Sequence, residues 1–119
     1  MARRPVSVIE LAAYRRRATV LLADDEQAAV IDLIAYEPEC GDLIPGGGGL
    51  RKVRVALSGS GKRGGARVIY YFYDAANPIL LLALYAKNEK SDLSSAEKKE
   101  LAGLVKEIAD QWKRKRKSQ

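Results

Sequence analysis

The stretch from Gly46 to Tyr73 limits the fold more than any other part of the chain. It reads GGGGLRKVRVALSGSGKRGGARVIYYFY and holds eight of the ten glycines. Glycine loses too much backbone freedom on ordering to sustain a helix, and its presence in clusters marks turns and loops. The residues between the glycines have strand character. Leu50 to Leu57 alternates, with Val53, Val55 and Leu57 on one face beside Arg51, and Lys52 and Arg54 on the other beside Leu50 and Ala56. Ala66 to Tyr73 is β-branched and aromatic, with Arg67, Ile69, Tyr71 and Tyr73 opposite Val68, Tyr70 and Phe72. The stretch therefore predicts a β-hairpin, entered by a four-glycine turn and closed by a loop over residues 58–65.

That hairpin is strongly basic. Arg51, Lys52, Arg54, Lys62, Arg63 and Arg67 lie in it, and it has no acidic residue. Net charge is −3 over residues 1–45, +6 over 46–73, −2 over 74–112 and +5 over the tail 113–117, which adds to the chain's +6. The excess thus sits in two patches, each suited to a nucleic-acid backbone. On charge alone, a solvated cationic face and a phosphate-binding surface fit the hairpin equally well.

The rest of the chain supplies the layers that such a hairpin needs. Val6 to Leu11 is a short apolar run, readable as a first strand. From Ala12 the apolar spacing turns helical (Tyr14, Ala18, Leu21, Leu22), and Asp24 or Asp25 can cap a second helix striped with Val30, Leu33 and Ile34 and stopped by Pro38. Ile79 to Lys87 is apolar on both faces until its end, which suits a central strand, with Tyr85 and Lys87 on one side at its exit. Ser94 and Glu97 have capping-box spacing, and Leu101, Leu104, Val105, Ile108 and Trp112 form one stripe of a final helix, after which the tail from Lys113 to Gln119 is expected to fray. The reading is α+β and one domain over residues 1–119. It comprises an N-terminal strand, a two-helix hairpin, an antiparallel sheet of about four strands and a C-terminal helix.

Several classes of chemistry are excluded. With no histidine and the single cysteine Cys40, the chain offers no histidine triad, no histidine base, no zinc cage and no intrachain disulfide. Cys40 lies between Glu39 and Gly41, where the acidic neighbour disfavours a thiolate. No cofactor or metal is expected. No apolar run has membrane-spanning length, and MARRPVSVIEL lacks the apolar core of a signal peptide, so a cytoplasmic location without membrane association is expected. Gly59, Gly61 and Gly64 match the spacing of a dinucleotide fingerprint, but a strand follows them where the fingerprint needs a helix. A P-loop fails too, because Ala56 replaces its first glycine and Arg63 its Ser or Thr.

Lys52, Arg54, Arg67, Tyr85 and Lys87 form the more useful set. If their strands are neighbours, the side chains converge on one side of the sheet. Arginine clamps phosphate, a lysine among cations can titrate near neutrality, and tyrosine can pass a proton or stack on a base. Such groups can cut RNA without histidine: one activates the ribose 2′-OH, cations stabilise the phosphorane, and another protonates the 5′-oxygen. Ordinary sheet-edge charges remain the competing reading of Arg67 and Lys87.

The run GDLIPGGGGLRKVRVALSGSGKRGGARVIYYFY, followed by LLLALYAKNEKSDLS and a last helix, resembles the RelE/HigB-like toxins of bacterial type II toxin–antitoxin systems, in particular the HigB-type branch. The resemblance implies a ribosome-dependent mRNA endonuclease that cuts in the A site and stops translation. It implies a partner antitoxin with a helix-turn-helix domain, and operator DNA contacted only through that antitoxin. By position, it implies catalytic roles for Arg67 in the GGAR motif, Lys87 in YAKNE, Tyr85 beside it and Arg54. Lys52, Arg51, Lys62, Arg63 and Tyr71 are then expected to contact RNA. Gly47 stands where the family commonly has threonine. A non-catalytic domain that binds RNA or antitoxin is the alternative; it predicts salt-sensitive binding without cleavage.

Overall fold

The computed structural model describes residues 4–57 and 65–117. In chain order these form β1 (Val8–Glu10), α1 (Ala12–Leu21), α2 (Asp24–Tyr36), β2 (Asp42–Leu43), β3 (Leu50–Val55), β4 (Ala66–Tyr71), β5 (Ile79–Ala86) and α3 (Ser95–Lys117). The strands make one sheet in the order β1-β5-β4-β3-β2. The α+β class and the order of elements follow the sequence reading. The sheet, however, has five strands and is mixed. The segment β2–β3–β4–β5 is an antiparallel meander, whereas β1 runs parallel to β5, pairing Val8 with Ile79 and Glu10 with Leu81. Alternation of residues along a strand carries no information about strand direction, so the parallel pair could not be read from the pattern.

Apolar side chains pack on both faces of the sheet. On one face Tyr14 and Ala18 of α1 and Val30 and Ile34 of α2 pack with Val55, Val68, Tyr70, Ile79, Leu81 and Leu84. On the other, Val105 and Ala109 of α3 pack with Leu50, Ile69, Tyr71, Leu80, Leu82 and Tyr85. The near-continuous hydrophobicity of β5 is explained by its place between β1 and β4, covered by helices on both sides.

Residue parity within β5 is not regular. Ile69 pairs with Ala83, but the next residue, Tyr70, pairs with Leu81, so Leu82 is an extra residue in β5. This β-bulge resets the alternation. Leu80 and Leu82 face α3, and beyond the bulge it is Tyr85, not Leu84, that shares their face.

Local signals set the ends of the elements. Both halves of the Ser94–Glu97 capping box form: the Glu97 N–H donates to Ser94 Oγ at 3.1 Å, and the Ser94 N–H donates to Glu97 Oε1 at 2.9 Å. At α2 the expected aspartate cap gives way to Ala23, whose N–H donates to Glu26 Oε1 at 2.8 Å, while Asp24 and Asp25 sit inside the first turn, favourably near the positive end of the helix. The tail from Lys113 to Gln119, expected to fray, is helical as far as Lys117, and Ser118 and Gln119 lie outside the described residues. Trp112 packs its ring on Tyr71 and Tyr73, with centroids 6.5 and 5.6 Å away, and one turn later Arg116 donates to Asp74 at 2.5 Å. Those two contacts hold the basic end of the helix against the β4–β5 turn.

Candidate functional site

The register of the meander sets three of the expected side chains in a line. Arg54 on β3 lies directly opposite Arg67 on β4, and Arg67 lies directly opposite Tyr85 on β5. Residues paired this way share a face of the sheet, with Cβ atoms about 5 Å apart. Arg54–Arg67–Tyr85 is thus a row across three strands, at the end of the sheet where the β3–β4 connection emerges. Like charges placed directly opposite each other destabilise a sheet, so two arginines in one row are an arrangement suited to an anion. Arg67 Nη1 also donates to the carbonyl of Ala66 at 3.3 Å.

Gly65 makes this corner possible. Its φ is +65°, and a Cβ there would stand 2.2 Å from the carbonyl oxygen of Val55. No other residue fits the turn into β4. The Gly65 carbonyl in turn accepts from the Lys87 N–H at 3.0 Å, which places exposed Lys87, one residue past β5, at the same end of the sheet as the row.

Lys52 lies one alternation back from Arg54 on the same face. Its Nζ is 3.2 Å from Asp92 Oδ1, and the Tyr85 hydroxyl donates to that same oxygen at 3.4 Å. A single carboxylate therefore joins the lysine to the tyrosine. Tyr85 itself is only 4 % exposed, so its ring is held among neighbours rather than presented to solvent. The Lys90 ammonium sits 5.0 Å from the centre of the ring and is paired with Glu97 at 2.6 Å. Burial first, and then the Asp92 carboxylate, push the Tyr85 phenol up to about 12, while Arg67 pulls it the other way. Tyr85 consequently keeps its proton at neutral pH and is a hydrogen-bond donor there. Asp92 is held below the usual aspartate range, chiefly by the Leu93 N–H and with help from Lys52 and Tyr85, so it is anionic. A cleft of about 430 Å³ opens beside the Lys52–Asp92 pair, walled by Leu43, Ile44, Pro45 and Leu93.

The sequence from Gly41 to the end of the chain, which contributes β2 to α3 and every member of this row, matches a family described as the RelE toxin of the RelE/RelB toxin–antitoxin system, over residues 41–119. The chain belongs to the RelE toxin family. The match spans about two thirds of the 119 residues and leaves β1 and the helical hairpin outside it. Membership makes this protein a toxin of a toxin–antitoxin pair and implies a cognate antitoxin as its partner.

Within this RelE-family toxin, the expected site residues separate by position. Arg54, Arg67 and Tyr85 come together, Lys52 joins them through Asp92, and Lys87 stands at the rim. Two others lie elsewhere. Arg51 points to the opposite side of β3, where its guanidinium donates to the Gly41 carbonyl at 2.7 Å and pairs with Glu39 at 3.5 Å, pinning the turn that follows α2. Tyr71, expected to meet RNA, is 7 % exposed and packs beneath α3. Its ring stacks on those of Tyr73 and Trp112, and the positive-φ backbone at Gly49 lies against its edge. It is a core residue, because the strand that carries it is covered by α3 at that level. Lys62 and Arg63 fall outside the described residues.

The residue missed by sequence reasoning is Asp92. It lies in the KNEKSDLS segment that carried part of the resemblance, but a lone aspartate before a helix reads as a capping residue. Its Oδ1 does accept from the Leu93 N–H at 2.8 Å. Its second role depends on a contact with Lys52, 40 residues away in sequence.

Proposed function

We propose that this RelE-family toxin belongs to the HigB-type branch and is a ribosome-dependent mRNA endonuclease of the bacterial cytoplasm, cutting transcripts in the A site and so halting translation. The observation that carries the reading is the Arg54–Arg67–Tyr85 row: two cations and a protonated phenol aligned on one face of the sheet. The reaction this suits is displacement at phosphorus by the neighbouring ribose. The 2′-OH gives up its proton to solvent water, its oxygen bonds to phosphorus, and the bond from phosphorus to the 5′-oxygen breaks. The departing oxygen takes a proton, leaving a 2′,3′-cyclic phosphate and a 5′-hydroxyl. Arg54 and Arg67 stabilise the added negative charge of the phosphorane. Tyr85, which holds its proton at neutral pH, supplies the proton to the leaving oxygen. Lys52 and Lys87 hold flanking phosphates, and Lys62 and Arg63 extend the contact along the RNA. Dependence on the ribosome fits a row laid across the end of a sheet, since the ribosome would then hold the mRNA in the bent form that in-line attack requires.

The partner in this reading is an antitoxin with a helix-turn-helix domain, and operator DNA is contacted through it. Induction of the wild-type chain in bacteria should arrest growth, and mapping of 5′ ends should reveal cuts inside translated codons. Arg67→Ala should lower single-turnover cleavage on programmed ribosomes by about 100-fold or more, the scale of losing one preorganised electrostatic contact to a transition state. Undiminished arrest and cleavage by that variant would remove Arg67, and with it the row, from the mechanism.

A further inference from the structure

Asp92 is hard to reconcile with the reaction as it stands. Its Oδ1 is bonded to both Lys52 and Tyr85. While those contacts last, the phenol's only O–H and one of the ammonium's three N–H groups are taken up by the carboxylate. The side chain of Asp92 is nevertheless more than half exposed, at 59 %, so nothing packs it permanently into place. The other charged groups near Tyr85 do not duplicate it. Arg67 is the cation beside Tyr85 in the row, and Glu97 is paired with Lys90, whose ammonium lies over the ring. Around Lys52, Asp42 is the register partner on β2, at the outer edge of the sheet.

Resting on the RNA-cutting reading of this face, we propose that the space between Lys52 and Tyr85 is a phosphate subsite, and that Asp92 is a built-in stand-in for the RNA phosphate, displaced when the substrate arrives. A carboxylate and a phosphate present the same feature to these partners: an anionic oxygen that accepts from an ammonium and a hydroxyl. In the free toxin, Asp92 keeps Lys52 and the Tyr85 hydroxyl turned toward a common point. When RNA binds, a phosphate oxygen takes that point and the exposed aspartate swings away to solvent. The site is thereby preorganised at the cost of a competitor, and affinity for RNA is lower than the cations alone would give.

The test uses the full-length toxin and a short fluorescent 2′-O-methyl oligoribonucleotide, which binds but lacks the attacking hydroxyl. Asp92→Asn keeps an oxygen for the Leu93 N–H while removing the charge. It should bind the probe about two- to five-fold more tightly, the range expected for releasing one partly exposed ion pair. The dependence of log K on log salt should also steepen, by up to about 0.7, as Lys52 becomes an additional unpaired phosphate contact. Asp110→Asn removes an equal charge from the exposed face of α3 and should change neither quantity comparably. Asp92→Ser, which also keeps a cap for Leu93, carries the measurement if the asparagine variant does not fold. Unchanged or weaker binding by the Asp92 variants, or an equal gain from Asp110→Asn, overturns the inference. The two proposals also fail separately. A wild-type protein that never cuts mRNA on ribosomes sinks the endonuclease reading, yet tighter binding by Asp92→Asn would still establish the subsite.

Discussion

Three tyrosines show how differently one residue type is used in this chain. Tyr85 donates into the site. Tyr70 closes the turn after α2: its hydroxyl accepts from the Gly41 N–H and donates to the Pro38 carbonyl, both at 2.8 Å. Tyr14 fills the core between α1 and the sheet at 1 % exposure, and its hydroxyl is buried without a hydrogen-bond partner among the described residues. An unsatisfied buried hydroxyl costs stability, so Tyr14→Phe should leave the toxin as stable as before or more stable by about 1 kcal/mol, read from urea midpoints. A clear loss would mean that this hydroxyl has a partner. At Tyr85 the same oxygen-for-hydrogen change should act on chemistry instead. Tyr85→Phe should slow single-turnover cleavage on saturating ribosomes by about 10²-fold or more, the contribution of a positioned proton donor, while ribosome affinity holds. Equal rates for the two proteins would assign the proton to another group.

At the scale of elements, the β3–β4 hairpin does most to build the site, and its geometry depends on Gly65. Gly65→Ala meets both a left-handed φ and a 2.2 Å approach to the Val55 carbonyl. It should destabilise the protein by more than about 1 kcal/mol, and it should lower cleavage at temperatures where the fold persists, because Arg67 is two residues away. Thermal melts alongside cleavage assays check both parts; an alanine variant with unaltered melting would show that the backbone at 65 can relax. The hairpin itself was legible in the sequence, since clustered glycines and alternating residues are local signals. So were the capping box at Ser94 and the apolar stripe of α3. The extension of α3 to Lys117 was not, because it depends on Trp112 meeting Tyr71 and Tyr73 and on Arg116 meeting Asp74, 42 residues away. A run of five cations reads as a solvated tail until its neighbours are known.

The molecule as a whole has titrating groups that favour folding over a middle range of pH. Burial, before any other cause, raises Tyr14, Tyr70, Tyr71 and Tyr85 above the ordinary 10.0. Five carboxylates move the other way. Glu89 is lowered first by the Ala86 N–H, Asp92 by the Leu93 N–H, Glu97 by Lys90 and Asp110 by Lys106. At Asp74 burial pushes upward, but bonds from Asn77, Arg116 and Ala76 outweigh it. The lowered carboxylates contribute stability that is complete above their unfolded values of 3.8 or 4.5 and is lost as pH falls through the folded ones. The raised phenols contribute stability that is complete below their unfolded 10.0 and is lost as pH rises toward the folded values. Urea midpoints should therefore form a plateau from about pH 5 to about pH 9 and fall on both sides. A midpoint that climbs in acid below about pH 4 would contradict the carboxylate half, and one that climbs above about pH 10 the phenol half.

The sequence alone determined the order and type of the elements other than the two-residue strand β2, which it read as part of a turn, together with the basic hairpin, the absence of histidine chemistry and the family. All of these rest on local spacing, composition and motif, which survive without knowledge of what packs where. It also picked out Arg54, Arg67 and Tyr85, but only the tertiary structure set them in one row. Two facts decided that. The β3–β4–β5 register brought the three strands level, and the extra residue Leu82 turned Tyr85 to the face of Leu80 and Leu82. A strict two-residue alternation from Leu80 would have sent Tyr85 into the opposite core. Register and bulges are set by how whole strands fit their neighbours, and Asp92 meets Lys52 only because the folded chain returns α3's leading turn to the sheet. Energies of that kind belong to contacts between distant segments, so no local pattern in the sequence records them.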